Sequence, residues 1–119
     1  MPDFKMERRD GSLEGERIVK LTGPFTLEAV FEFQDAIRKD HAPITIVDLT
    51  DVPYMDSAAL GSLLGLHVSC QRDHRQYALM GVSERLQTLF RVAGVGGMLN
   101  IFGSLAGAEA AVAARTASA

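Results

Sequence analysis

The chain has 119 residues, a net charge of -3, 47% hydrophobic residues and 23% charged residues. That size and balance suit a single soluble globular domain and leave no room for a second core. The acidic total argues against a nucleic-acid partner, and the basic pair Arg8-Arg9 is flanked by Glu7 and Asp10.

The single cysteine, Cys70, excludes an internal disulfide. It falls in an apolar helical pattern and reads as a small buried hydrophobe in a reducing compartment. No apolar run approaches the roughly 20 residues that span a bilayer. The N-terminal stretch MPDFKMERRDG has no signal-peptide core. A cytoplasmic protein without membrane insertion is expected.

Residues 3–9, DFKMERR, alternate at Phe4 and Met6 and predict an edge strand. DGSLEG follows with Asp10-Gly11 at its head and predicts a hairpin. It leads into ERIVKLTG, a strand with Ile18, Val19 and Leu21 apolar and Gly23-Pro24 as its stop.

Residues 26–40 predict a helix with Thr26 as N-cap, Glu28 in the first turn, and Arg38 and Lys39 at the negative end of the dipole. Leu27, Val30, Phe31, Gln34 and Ile37 fall at helical spacing and predict the inward face. Phe33 lies off that stripe, either at the core edge or on a contact surface.

APITIVDLTDV is the clearest strand, its near-continuous apolar run being the pattern of a strand covered on both faces. The loop TDVPYMD leads into a helix from about Ser57 to Arg72, with Leu60, Leu63, Leu64 and His67 as its inward stripe. Gly61 and Gly65 lie one turn apart and share a face. They either pack tightly on the sheet or leave room for another backbone.

QYALMGV predicts the next strand. SERLQTLFRVAG predicts a helix capped by Ser83 and stopped by Gly94. MLNIFG is a short strand, and SLAGAEAAVAARTA a last helix capped by Ser104. Its end, about residues 115–119, is expected to fray. After the hairpin, strands and helices alternate. That order predicts an α/β domain with right-handed crossovers, a mixed but mostly parallel sheet of four to five strands, and about four helices packed against it.

The chain carries little enzyme chemistry. His41, His67 and His74 form no close metal-ligand pair with one another or with Cys70. Ser57 has no base in reach: His67 lies ten residues further along the same helix, roughly 15 Å away axially. No GxSxG elbow is present. Gly94, Gly96 and Gly97 follow a helix and precede a strand with no lysine nearby, so they read as a helix stop rather than a phosphate loop. No catalytic residue, cofactor or metal is expected.

Asp56-Ser57 is the remaining constellation. Both residue types are good N-caps, which is one reading. The other rests on place. Loops at the carboxyl ends of parallel strands form the working edge of such sheets, and a helix N-terminus there carries unpaired N–H groups and partial positive charge. A phosphate on Ser57 suits its own helix. It also adds about -1.5 to -2 charges to the small apolar surface AALG, which drives off a docked partner.

The stretch IVDLTDVPYMDSAALGSLL resembles the STAS domain of bacterial anti-sigma factor antagonists, regulators of sporulation and stress responses. KLTG before the first helix, RLQTLFRVAGV in the third and IFGSLAGAEAA at the end extend the resemblance over nearly the whole chain. It implies a STAS-type α/β fold without enzyme activity. It also implies a partner anti-sigma factor that is a serine kinase, and a phosphatase that resets the switch. ATP and Mg²⁺ then belong to the kinase. By position, Ser57 matches the phosphoacceptor and Asp56 the acidic residue before it. Pro24, Phe25, Thr26, Tyr54, Met55, Asp56, Ala58, Ala59, Leu60 and Gly61 match the partner-binding loops and helix start. Ala58 and Ala59 stand where the family usually has Ser or Thr and then Gly. Thr26 stands where it commonly has Asp. A second reading is a STAS scaffold or sensory subunit, in a larger signalling complex or beside a lipid transporter's ATPase, not switched at Ser57.

Overall fold

Right-handed crossovers decide which face of the sheet the helices cover. A computed structural model describes residues 3–118. Its elements are β1 (Lys5–Asp10), β2 (Glu16–Thr22), α1 (Leu27–Asp40), β3 (Ile44–Asp51), α2 (Ser57–Arg72), β4 (Gln76–Met80), α3 (Glu84–Val92), β5 (Ile101–Phe102) and α4 (Leu105–Ser118). The sheet order is β1-β2-β3-β4-β5. β1 and β2 pair antiparallel, and the other neighbours pair parallel. Each parallel strand is laid beside the one before it, always in the same direction. Right-handed connections then put α1, α2 and α3 on one face.

The period-2 alternation of the strands separates two cores. Val19, Leu21, Val47, Leu49, Tyr77 and Leu79 face the three crossover helices. Ile18, Ile44, Ile46 and Ala78 face the other way, where Ala108 and Val112 of α4 cover them. β3 lies at the centre and is buried from Ile44 to Val47, as its apolar run predicts. The caps of the later helices are also as predicted: Ser83 Oγ accepts the Leu86 N–H at 3.2 Å, and Ser104 Oγ accepts the Gly107 N–H at 3.0 Å. Gly94 has φ +76° and ends α3. The segment expected to fray lies partly outside the described residues.

The inward face of α1 differs from the expected one. Leu27 is 57% exposed and Phe31 74% exposed, whereas Phe33 is 1% exposed. Gln34 is exposed too. The buried stripe is Ala29, Val30, Phe33, Ala36 and Ile37. Phe33 meets Phe25 edge-on, with ring centroids 5.2 Å apart. The helix is turned so that its two alanines and Phe33 face the core, and its nearest neighbouring element is α2.

On α2, Leu60 and Leu63 are buried as expected, joined by Ala59, Ser62, Leu66 and Cys70. Leu64 and His67 are only half-buried, at the edge of the contact. His67 Nδ1 lies 2.6 Å from the Tyr77 hydroxyl, which also accepts the Asn100 N–H at 3.2 Å. Gly61 and Gly65 are exposed, and a Cβ on either would meet nothing within 4 Å. They do not pack on the sheet.

The hairpin turn is held by Glu16, a buried carboxyl whose Oε1 accepts the Leu13 N–H at 2.9 Å. Glu109 of α4 accepts the Ser12 hydroxyl at 2.7 Å in the same turn. Burial first, and then the neighbouring Glu109 carboxyl, push Glu16 above its ordinary pKa.

Candidate functional site

β2 and β3 run parallel and end at the same edge of the sheet, and each feeds a helix. Their pairing continues beyond the strands. Gly23 N–H donates to the Asp51 carbonyl at 3.0 Å, Phe25 N–H to the Tyr54 carbonyl at 3.1 Å, and Asp56 N–H to the Phe25 carbonyl at 3.3 Å. The two loops therefore travel together as far as the first turns of α1 and α2. Gly23 is required for this path: its φ is +89°, and a Cβ there would lie 2.6 Å from the Asp3 carbonyl oxygen.

The loops deliver two helix N-termini to one carboxylate. Asp56 is the N-cap of α2, and its Oδ1 accepts the Ala59 N–H at 2.9 Å. Its Oδ2 accepts the N–H of Leu27, the first residue of α1, also at 2.9 Å. Thr26 occupies the N-cap position of α1, as predicted, but its side chain makes no cap hydrogen bond. The long-range carboxylate does that work instead. The Ala59 N–H bond, opposed by some burial and reinforced by the Leu27 N–H, holds the Asp56 carboxyl below its ordinary range.

This settles how Asp56 and Ser57 divide their roles. Asp56 is the cap, and Ser57 is the first helical residue. Ser57 is exposed, and its hydroxyl makes no hydrogen bond to the described residues. It stands at the positive end of a 16-residue helix that has no acidic residue in its first turn. His67, the base a hydrolase would need, is engaged with Tyr77 instead.

The ten residues expected at a partner surface divide by burial. Tyr54 and Gly61 are exposed, and Pro24, Thr26, Asp56 and Ala58 are partly so. Phe25, Met55, Ala59 and Leu60 are buried in the core and support the surface from beneath. Ala59 is wholly buried, so its methyl packs inward rather than toward a partner.

Three exposed groups lie beside these positions: Arg85, which no local sequence signal marks, and Leu27 and Phe31, whose spacing points inward. Arg85 of α3 places its guanidinium 5.8 Å from the centroid of the Tyr54 ring. Leu27 and Phe31 are exposed on the α1 face that continues to Gln34 and Arg38 at spacings of four, three and four. Gln34 and Arg38 line a groove whose far wall includes Gly65 of α2. Leu27 and Phe31 therefore extend the α1 wall of that groove toward the Ser57 end.

Comparison with known proteins places this geometry. The STAS domain family model matches residues 4–108. The anti-sigma-B factor antagonist of Listeria monocytogenes is 31% identical over 77 residues, which is 65% of this chain and 68% of that protein. Among solved structures, an anti-sigma factor antagonist from Mycobacterium paratuberculosis superposes with a TM-score of 0.80 at 17% identity, covering 92% of this chain and 94% of that one. A sulfate transporter family protein from Wolinella succinogenes superposes with a TM-score of 0.69 at 20% identity, covering 81% and 83%.

Proposed function

The chain belongs to the STAS domain family, and from that premise we propose that it is an anti-sigma factor antagonist switched by phosphorylation of Ser57. The observation that carries the reading is the division of labour at the start of α2. Asp56 takes the capping role, which leaves the Ser57 hydroxyl exposed at a helix N-terminus, with no hydrogen bond to the described residues. Unphosphorylated, the protein binds a partner anti-sigma factor that is also a serine kinase. The sigma factor is thereby released. The curated relative's name supports the antagonist role.

The docking surface carries no side chain where the partner backbone arrives, at Gly61 and Gly65, and is apolar beside it, at Leu27 and Phe31. Phosphate adds about -1.5 to -2 charges at Ser57. The Asp56 carboxylate is the adjacent residue, so the partner then meets two acidic groups where one stood. Desolvating them costs more than the apolar contact returns. The kinase brings ATP and Mg²⁺, and a phosphatase restores the binding form.

The test is to incubate the protein with its cognate kinase and ATP and map the phosphate by mass spectrometry. Modification at Ser57, and loss of kinase binding in Ser57→Asp, are expected. No phosphate at Ser57, together with unchanged binding by Ser57→Asp, would sink the switch.

One observation favours a second reading, a STAS scaffold or sensory subunit not switched at Ser57. The loop before α1 offers the partner a hydroxyl at Thr26 and no carboxylate of its own, since Asp56 is already committed to two backbone amides. A stable large assembly in light scattering, or a transporter ATPase recovered as the partner, would support that reading over a kinase.

A further inference from the structure

The groove between α1 and α2 has a second end, remote from Ser57 along α2. There the later turns of the two helices and the loop before β4 line an open cavity of about 430 Å³. That volume lies within the range of small-molecule sites. Its apolar wall is Phe33, Ile37 and Leu66. Its polar side carries Arg38, Arg72 and Arg75 against a single carboxylate, Asp73. Arg38 also reaches Asp35, outside the lining, at 3.9 Å, so the three guanidiniums still exceed the two carboxylates that face them, in a chain whose total is -3.

Arg75 is the informative member. Its side chain is 10% exposed. Its Nε and Nη1 are buried and have no hydrogen-bond partner among the described residues. Nη2 approaches Asp73 Oδ2 at 3.6 Å, an ion pair too long for a hydrogen bond. Asp73 itself is bonded to Arg72, at 3.0 Å. A buried guanidinium with unmet donors is costly, and such groups in folded proteins generally have a partner. Asp73 therefore leaves the Arg75 guanidinium short of a full partner, and an acceptor entering the cavity would supply one.

We propose that this cavity binds a small amphipathic organic acid, with its acid group on Arg75 and its apolar body along Phe33, Ile37 and Leu66. Ser69, which lines the same cavity from α2, offers a hydroxyl beside the acid group. Gly65 forms part of the lining, where a Cβ would meet nothing within 4 Å, and it keeps the mouth open. The site uses the α1 and α2 faces that continue toward Ser57, but it needs neither Ser57 nor its phosphate.

The experiment titrates octanoate, octyl phosphate and octanol into the full chain. It follows backbone amide shifts by NMR and affinity by calorimetry. At least one of the two acids is expected to bind with a Kd below about 1 mM and at least about tenfold more tightly than octanol. Shifts should centre on Gly65, Ser69 and Arg75. Which acid binds more tightly identifies the acid group. Arg75→Met should erase the preference for acid over alcohol without loss of fold, because it replaces unmet buried donors with an apolar side chain of similar length. Gly65→Leu fills the mouth from an open position and should block all three ligands while leaving thermal stability equal or higher. Failure of both acids to bind at millimolar concentration overturns the proposal. So does octanol binding as tightly as the acids, or an acid preference that survives in Arg75→Met. Should Arg75→Met not fold, undiminished acid binding by Gly65→Leu overturns it.

Discussion

The Asp56 carboxylate accepts the backbone N–H of Leu27, 29 residues earlier in the chain, at 2.9 Å. Its other oxygen caps α2 at Ala59. One short side chain therefore fixes the starts of two neighbouring helices and keeps the Thr26 loop in register with the Tyr54 loop.

Removing it should cost two caps. Asp56→Ala is expected to destabilise the fold by about 2 kcal/mol, since each lost cap is worth roughly 1 kcal/mol. Urea unfolding measures the total. Hydrogen exchange separates the two parts: the Leu27 and Ala59 amides should both lose protection. Asp56→Ser should restore protection at Ala59 and not at Leu27, because the shorter side chain serves only its own helix.

The same bonds set a direction in pH. The Asp56 carboxyl is held below its ordinary value of 3.8 chiefly by the Ala59 N–H. The folded protein thus binds its proton less readily than the unfolded chain. This contribution is fully present above the unfolded value and is lost as pH falls through the folded one. Wild type should lose stability below about pH 4 more steeply than Asp56→Asn, as followed by thermal melts from pH 3 to 7.

Under the proposed function, phosphorylation of Ser57 should be felt at Leu27 as well as at the proposed partner surface. A dianion on Ser57 stands next to the Asp56 carboxylate and competes for the same helix N-terminus. The expected result is faster exchange of the Leu27 amide in the phosphorylated protein, with the strands of the sheet unchanged. An unaltered Leu27 amide would mean that the phosphate and the shared cap do not communicate.

Much of this architecture was legible from local pattern. The strands, the order of elements, the central position of Ile44–Asp51 and the Ser83 and Ser104 caps all follow from short-range periodicity and residue type. The phase of α1 was not. Leu27 and Phe31 complete a better-looking stripe than Ala29 and Ala36 do, because alanine gives a weak hydrophobic signal even where it is buried. The cap of α1 was also hidden. Thr26 has the right type and position, but the acceptor that bonds Leu27 comes from a loop joined to it only by tertiary pairing. Arg85 over Tyr54 depends on α3 and the site sharing one face of the sheet, which no local spacing records.

The corrected phase of α1 makes two phenylalanines opposites. Phe33→Ala should cost about 3–5 kcal/mol, as for a filled core position. Phe31→Ala should change stability by less than about 0.5 kcal/mol. Under the proposed function, Phe31→Ala should instead weaken partner binding, which a pull-down with the purified kinase reads directly.

Glu16 supplies a contrasting pH dependence. Its folded pKa is raised above the ordinary 4.5, first by burial and then by Glu109. The protonated form is favoured in the fold, so this residue's contribution declines as pH rises from the unfolded value through the folded one. Glu16→Gln keeps an acceptor for the Leu13 N–H and carries no charge. It should melt higher than wild type at pH 7, and the difference should vanish below the ordinary value of 4.5.

The sheet order repeats the order of the chain. No strand has to wait for a later one to create its neighbour. Each strand after β1 pairs with one made before it. The shared Asp56 cap joins Leu27 to the start of α2, and both lie in the first half of the chain. The reverse face depends instead on α4, the last element, which covers Ile18, Ile46 and Ala78. A nascent chain that ended before α4 would hold every partner of the Asp56 cap and still lack the cover of the opposite face.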